Sequence, residues 1–238
     1  MNAITRAGLL SLVLVSGCKP TVILEAPEPE PTPTDADSDP LVEYEAIRES
    51  VRHYAAALSA HDPKAASEWV VSDTFGYYED LRVAALRATR EQLEAWDLMS
   101  VMLILQIRTQ ITREQLESLD GLGLFERAVT AGLVGEQIED IVLDDVWLDD
   151  TGEHAQIRLD GEPVVWLRKE QREGDGEHGR WRVDIPEMIR LLGPAIEAMA
   201  HDAVSADGKV RTALTFVELS TEAFVDIAVL DGPLDATD

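Results

Sequence analysis

One cysteine, Cys18, serves all 238 residues. A single thiol cannot close an intramolecular disulfide or form a CxxC metal or redox site, which excludes both as the basis of fold or function. Basic side chains are also scarce: 20 Lys and Arg stand against 46 Asp and Glu, a net charge of −26. That balance excludes a basic surface for nucleic acid or anionic lipid head groups, and leaves a basic partner or plain solubility as its use. The five histidines, His53, His61, His154, His178 and His201, have no HExxH or HxH spacing, so neither a metal site nor a cofactor is expected. No serine-centred elbow is present, and the glycines of GLGLFE, from Gly121 to Glu126, lack the spacing and the preceding strand of a dinucleotide loop.

A long apolar run is missing as well. The stretch from Ala7 to Val15 is too short to cross a bilayer as a permanent helix. With Arg6 before it and the small pair Ser16 and Gly17 after it, Met1 to Gly17 has the tripartite shape of a secretory signal. The segment Val15-Ser16-Gly17-Cys18 resembles the lipobox of bacterial lipoproteins. The resemblance implies diacylglycerol transfer to the Cys18 sulfur, cleavage after Gly17 and palmitate-type acylation of the new amino terminus. Several acyl chains, each contributing ~0.8 kcal/mol per buried methylene, hold a protein on a membrane. An ordinary cleaved signal with an incidental cysteine is the alternative. Lys19 stands where aspartate would favour inner-membrane retention in that family, which implies an outer-membrane anchor facing the periplasm or the cell surface. Removing Met1 to Gly17 takes away one base, Arg6, and no acid, so 19 bases against 46 acids give −27.

Residues 18–40 form the lipidated start and a tether. KPTVILEAPEPEPTPTDADSDP carries six of the eleven prolines and no base after Lys19, so it cannot bury enough apolar surface to order itself. Asp35, Asp37 and Asp39 copy the first three ligand positions of a calcium loop. Pro40 and Ala46 stand where that loop needs glycine and a bidentate glutamate, which favours a solvated acidic linker.

Residues 41–202 suffice for one domain with its own core. Ile47, Val51, Tyr54 and Leu58 share a helical stripe, predicting a first helix over residues 43–61. Asp62-Pro63 reads as a cap and first position of a short helix through Trp69. TREQLE occurs at Thr89–Glu94 and again at Thr112–Glu117 without matching flanks, so it reads as two capping boxes rather than a repeat. The first predicts one long helix through Arg108, apolar over most of its circumference. The second is followed by Gly121 and Gly123 and a short helix over residues 124–132. After Gly135 the period becomes 2. Ala155, Ile157 and Leu159 alternate with polar neighbours, Asp160-Gly161 marks a hairpin, and EPVVWLRKEQ returns. Trp181, Val183 and Ile185 alternate again, and IEDIVLDDVWLDD supplies a fourth strand. A helix over residues 186–202, kinked or split at Pro194, closes the domain. Residues 203–238 form an extension readable as strand or helix.

EAIRESVRHYAAALSAHDPKAA and Arg180-Trp181-Arg182-Val183-Asp184 resemble the opening helix and closing strand of the NTF2-like or SnoaL-like superfamily. The resemblance implies an α+β cone, with N-terminal helices packed on a curved antiparallel sheet. The helical insertion over residues 89–132 and the C-terminal helix are departures. The superfamily contains enzymes, small-ligand binders and interaction modules, so it does not choose a function.

Candidate chemistry comes from polar groups that could enter such a cone. Asp97 lies near the angle of Val101 and Ile104, where a desolvated carboxylate could act as a general base. Arg108 is too far along the helix to pair with it. Tyr77, Tyr78 and Asp80 offer a donor pair or an acid. Trp147, Trp166 and Trp181 fall on three strands and either line a ligand platform or pack in the core. The leading expectation is a non-catalytic envelope lipoprotein whose domain binds a protein partner or a small apolar ligand. The alternative is a cavity isomerase, dehydratase or hydrolase using Asp97 with Tyr77 or Tyr78. A third is an assembly subunit, homodimeric through the sheet's outer face.

Overall fold

The computed structural model describes residues 40–134, 145–176, 179–221 and 225–233. The lipobox with Gly17 and Cys18, the tether with its three aspartates, and His178 lie outside the described residues. The architecture is α+β: helices, then a four-stranded antiparallel meander, then helices again.

Helix α1, Pro40–Ser59, buries the expected stripe of Ile47, Val51, Tyr54 and Leu58. Asp62 caps α2, Pro63–Glu68, by accepting from the Ala65 amide at 3.0 Å. Both capping boxes form. Thr89 accepts from the Gln92 amide while Gln92 accepts from the Thr89 amide, and Thr112 and Gln115 do the same. They open α4, Arg90–Leu93, and α6, Arg113–Ser118.

One expectation fails here and the start of another helix shifts, both through aspartate. The long helix expected from Arg90 to Arg108 breaks after Leu93, and a new helix, α5, Leu98–Gln110, begins behind Asp97. The Asp97 carboxylate takes the Ser100 amide at 2.9 Å, where a continuous helix would use a backbone carbonyl. Asp97 is therefore a helix cap and not a side chain on the apolar helical face. Likewise Asp120 accepts from the Gly123 amide at 2.7 Å, so α7, Gly121–Thr130, starts with the glycines inside it. α7 packs along α3, Asp73–Arg87. The helix α5 buries nine of its thirteen residues, and α3 and two helices from beyond the sheet pack against it.

Strands β1, Asp145–Leu148, β2, His154–Leu159, β3, Glu162–Glu170, and β4, Arg180–Val183, lie in sequence order. Asp160 at φ 53° and Gly161 at φ 84° give the two positive torsions that a tight hairpin needs. The register places Val146, Ile157 and Val165 on the core face, with Ala155, Leu167 and Val183 beside them. The outer face carries Trp147, Gln156 and Trp166 in one row and His154, Arg168 and Arg182 in the next. Trp181 stands opposite Lys169, on the core side with Leu167. The three tryptophans thus do not share a face. One residue of register decides this, because side chains alternate. On the core side Glu43 of α1 accepts from the Trp181 indole at 2.7 Å and pairs with Lys169 at 2.9 Å, fastening α1 across the sheet. Residues 69–71 run beside β4 in parallel, with the Val71 amide donating to Val183 at 3.0 Å.

Helix α8, Ile185–Met199, passes through Pro194 without ending. Beyond it lie α9, His201–Asp207, α10, Lys209–Thr221, and a 3₁₀ turn, Ile227–Leu230. Val210, Ala213, Leu214, Val217, Val229 and Leu230 all belong to the main core. The core therefore continues beyond Asp202, with α10 lying along α5 as a helix rather than a strand.

Candidate functional site

The Asp97 cap is one end of a polar chain. The Ser100 hydroxyl donates to Asp97 Oδ2 at 2.5 Å, which commits its only proton, so Tyr77 donates to Ser100 Oγ at 3.1 Å. Asp97 and Tyr77 are brought together through a serine. The Asp-x-x-Ser spacing was the available signal for Ser100, because it is also a capping spacing. Gly193 of α8 rests on the chain, and a Cβ there would stand 2.9 Å from Asp97 Oδ1. Burial pushes the Tyr77 phenol well above its ordinary range, the Ser100 hydrogen bond opposes this, and the Asp97 charge adds to it. Tyr77 therefore keeps its proton at neutral pH. Ser100 is buried to 1 % exposure, so it has no open side for a substrate.

Tyr78 points elsewhere. Its ring meets Phe125 edge-on at 5.3 Å, and it borders a cavity of about 20 Å³ with Gln106, Leu103, Leu124 and Leu133. That volume holds about one water molecule. Asp80 is exposed. Arg108, at the far end of α5, is fully buried and donates to the carbonyls of Ala84, Ala85, Ala88, Val229 and Leu230.

The outer sheet face holds a second polar group. Arg168 donates to Asp73 at 2.5 Å and lies 3.3 Å from Asp184, which caps α8 through the Glu187 amide. Burial raises Asp184 above the usual carboxylate range. Trp166 is buried beside them, and its indole NH has no partner among the described residues. Trp147 is 40 % exposed, with the Arg158 guanidinium over its ring at 5.1 Å. Of the histidines, His53 stacks on Trp69 at 4.6 Å, His61 lies 3.2 Å from the Val129 carbonyl and His154 lies 3.0 Å from Asp149. His201 is exposed. Among the described residues no group of three or more His, Cys, Asp or Glu is placed to hold a metal ion.

Where β3 turns into β4, Arg182 forks onto Asp175 at 3.0 and 3.1 Å, both side chains being almost fully buried. The Arg182 hydrogen bonds hold Asp175 below the usual carboxylate range. Burial pushes Glu170 up, but the Ser72 hydroxyl and amide and Arg172 outweigh it, leaving Glu170 lowered as well. Depressed folded pKa values stabilise the fold above the unfolded carboxylate range, about 4, and this contribution is lost as pH falls through the folded values. Asp184, raised, has the opposite sign and favours the fold on acidification. Asp175→Asn is expected to cost about 2 kcal/mol at neutral pH and to flatten the loss of stability below pH ~4. Urea midpoints of both proteins across the acid range check this, and parallel curves would contradict it.

Comparison of the chain with protein-family models, with curated proteins and with solved structures gave no match.

Proposed function

We propose that the chain is a lipid-anchored cell-envelope protein whose domain recognises a protein partner or small apolar ligand without catalysing a reaction. The observation that carries the domain's part is the filled interior. α5 occupies the centre of the fold with nine buried residues, and Asp97 is engaged as its cap. The anchor rests on Val15 to Cys18, and the reach of the domain on the acidic tether behind it. No helix among the described residues is long and apolar enough to cross a membrane, and the lipid would supply the attachment. The outer membrane is the proposed location. An NTF2-like cone is the proposed finer architecture, supported by α1 lying on β4, the parallel extension at residues 69–71 and the meander order.

Cys18→Ser is expected to move the protein from the membrane to the soluble fraction and to abolish fatty-acid labelling. Unchanged membrane association would refute the anchor. Native mass spectrometry of the protein from its own host is expected to reveal a bound ligand or partner. The hydrogen-bonded order Tyr77, Ser100, Asp97 favours one second reading, a cavity isomerase, dehydratase or hydrolase. Robust turnover of a small substrate that Tyr77→Phe abolishes would establish it and overturn the non-catalytic one.

A further inference from the structure

Strand β1 is the outermost strand of the sheet, and among the described residues nothing pairs with its second edge. The direction of its backbone groups follows from one bond. The Asp149 amide donates to the His154 carbonyl at 3.0 Å, while the His154 amide turns back to Asp149 Oδ1 at 3.3 Å, so the backbones of this pair face each other. In an antiparallel ladder such pairs alternate, so Trp147 with Gln156 and Asp145 with Arg158 also face inward to β2. The N–H and C=O groups of Val146 and Leu148 therefore point away from the sheet, toward the open edge. Their side chains pack against the core, which holds the strand in place. Among the described residues the edge is short, held by its neighbour and unpaired, which is a template for one more strand.

Charge selects the occupant. The apolar centre Val146-Trp147-Leu148 lies between Asp145 at one end and Asp149, Asp150 and Glu153 at the other. Asp149 is engaged in its turn with Thr151, His154 and the Glu153 amide, while Asp145, Asp150 and Glu153 are exposed. Arg158, the single arginine or lysine of β1 and β2, lies over the Trp147 ring on the outer face and not along the edge. A second copy of this chain fits poorly. Antiparallel pairing of β1 with itself about Trp147 sets Asp145 of one copy against Asp149 of the other, and like charges directly opposite destabilise a sheet. The chain's net charge of −26 adds to that repulsion.

We propose that the edge of β1 binds an extended peptide segment of a partner protein, with an apolar centre and lysine or arginine at both ends. The segment adds a fifth strand, exchanging hydrogen bonds with the backbone of Val146 and Leu148. Its basic ends meet Asp145 on one side and Asp150 with Glu153 on the other. The proposal names a partner class for the binding domain and rests on that non-catalytic reading.

The test uses the whole chain from residue 18 onward, carrying Cys18→Ser, and two capped heptapeptides. Each has a Val-Thr-Val centre, one flanked by two lysines on each side and the other by two glutamates. The lysine peptide is expected to bind about tenfold or more tighter than the glutamate peptide, with the preference weakening as salt rises. The amides of Val146 and Leu148 should gain protection from hydrogen exchange. The double variant Asp145→Lys with Asp150→Lys, both at exposed positions, should reverse the preference while leaving the thermal midpoint close to that of the parent chain. Equal affinity for the two peptides, no binding of either, or protection elsewhere in the fold would overturn the edge proposal. Its failure is distinguishable from failure of the binding reading, which is judged by turnover and by native mass spectrometry.

Discussion

Arg108→Met is expected to lower the free energy of unfolding by about 4 kcal/mol or more, a large part of what holds a domain of this size together. Arginine has five N–H donors, and all five end on backbone carbonyls: Nε on Ala85 at 2.8 Å, one terminal nitrogen on Val229 and Leu230 at 2.9 Å each, the other on Ala84 at 3.0 Å and Ala88 at 2.5 Å. Those carbonyls belong to the last turn of α3 with its cap residue Ala88, and to the end of the 3₁₀ turn, two helix termini whose partial negative charge converges on one buried cation. Burial pulls the guanidinium down to about 10, which leaves it charged at neutral pH. Methionine keeps most of the volume and none of the donors, so five carbonyls lose the guanidinium where water cannot replace it, and among the described residues only Ala84 keeps a second donor, the Ala88 amide at 2.9 Å. Arg108→Lys should recover little, because a single ammonium cannot reach both helix ends in the fork geometry. Urea unfolding measures the loss. Hydrogen exchange in residues 225–233 should rise in the same variants, since Arg108 ties the Val229 and Leu230 carbonyls to the end of α3. A methionine variant within about 1 kcal/mol of the parent would show that the carbonyls are satisfied without it.

Gly121→Ala is expected to cost about 3 kcal/mol, while the same exchange at Gly76 should stabilise by up to about 1 kcal/mol. Gly121 opens α7 where that helix presses on α3. A Cβ there would overlap the Phe75 carbonyl and stand 2.8 Å from the Glu79 nitrogen, both backbone atoms of a packed helix. Neither can swing aside as a side-chain tip would, so the helices must part along their contact. Gly76 lies in α3 itself with nothing within 4 Å of the added carbon, so alanine there gains helix propensity at no steric cost. Thermal midpoints moving in opposite directions confirm the account. A Gly121→Ala protein as stable as its parent would mean that the α3 and α7 backbones can separate freely.

The two glycines also mark how far sequence reading reaches. Both sit in helices, and nothing within five residues of either distinguishes the one that must be glycine from the one that need not be. Asp97 teaches a related lesson. Its position among Val101 and Ile104 fits a helical face, yet the same side chain three residues before Ser100 fits a cap, and the cap prevails because it satisfies a backbone amide that would otherwise be left over at a helix start. The link from Asp97 to Tyr77 was half legible: the two residues were identified, while the serine between them depends on α3 and α5 lying side by side. Of the two readings open for the tryptophans, core packing holds for Trp166 and Trp181 and a shared platform does not form, because a strand's facing depends on its register.

What the sequence determined by itself is local. The two TREQLE capping boxes, the Asp62-Pro63 start, the Asp160-Gly161 hairpin, the α1 stripe and the order of helices before strands all arise from contacts within a few residues, whose geometry is fixed by backbone chemistry. Tertiary structure decided the rest: the five carbonyls around Arg108, drawn from residues 20 to 122 positions away, the pressure of α7 on α3, the joining of α10 to the core, and the place of β1 at the end of the strand order. Each depends on which distant backbone comes to rest beside a given side chain, and that is settled by packing the whole chain at once.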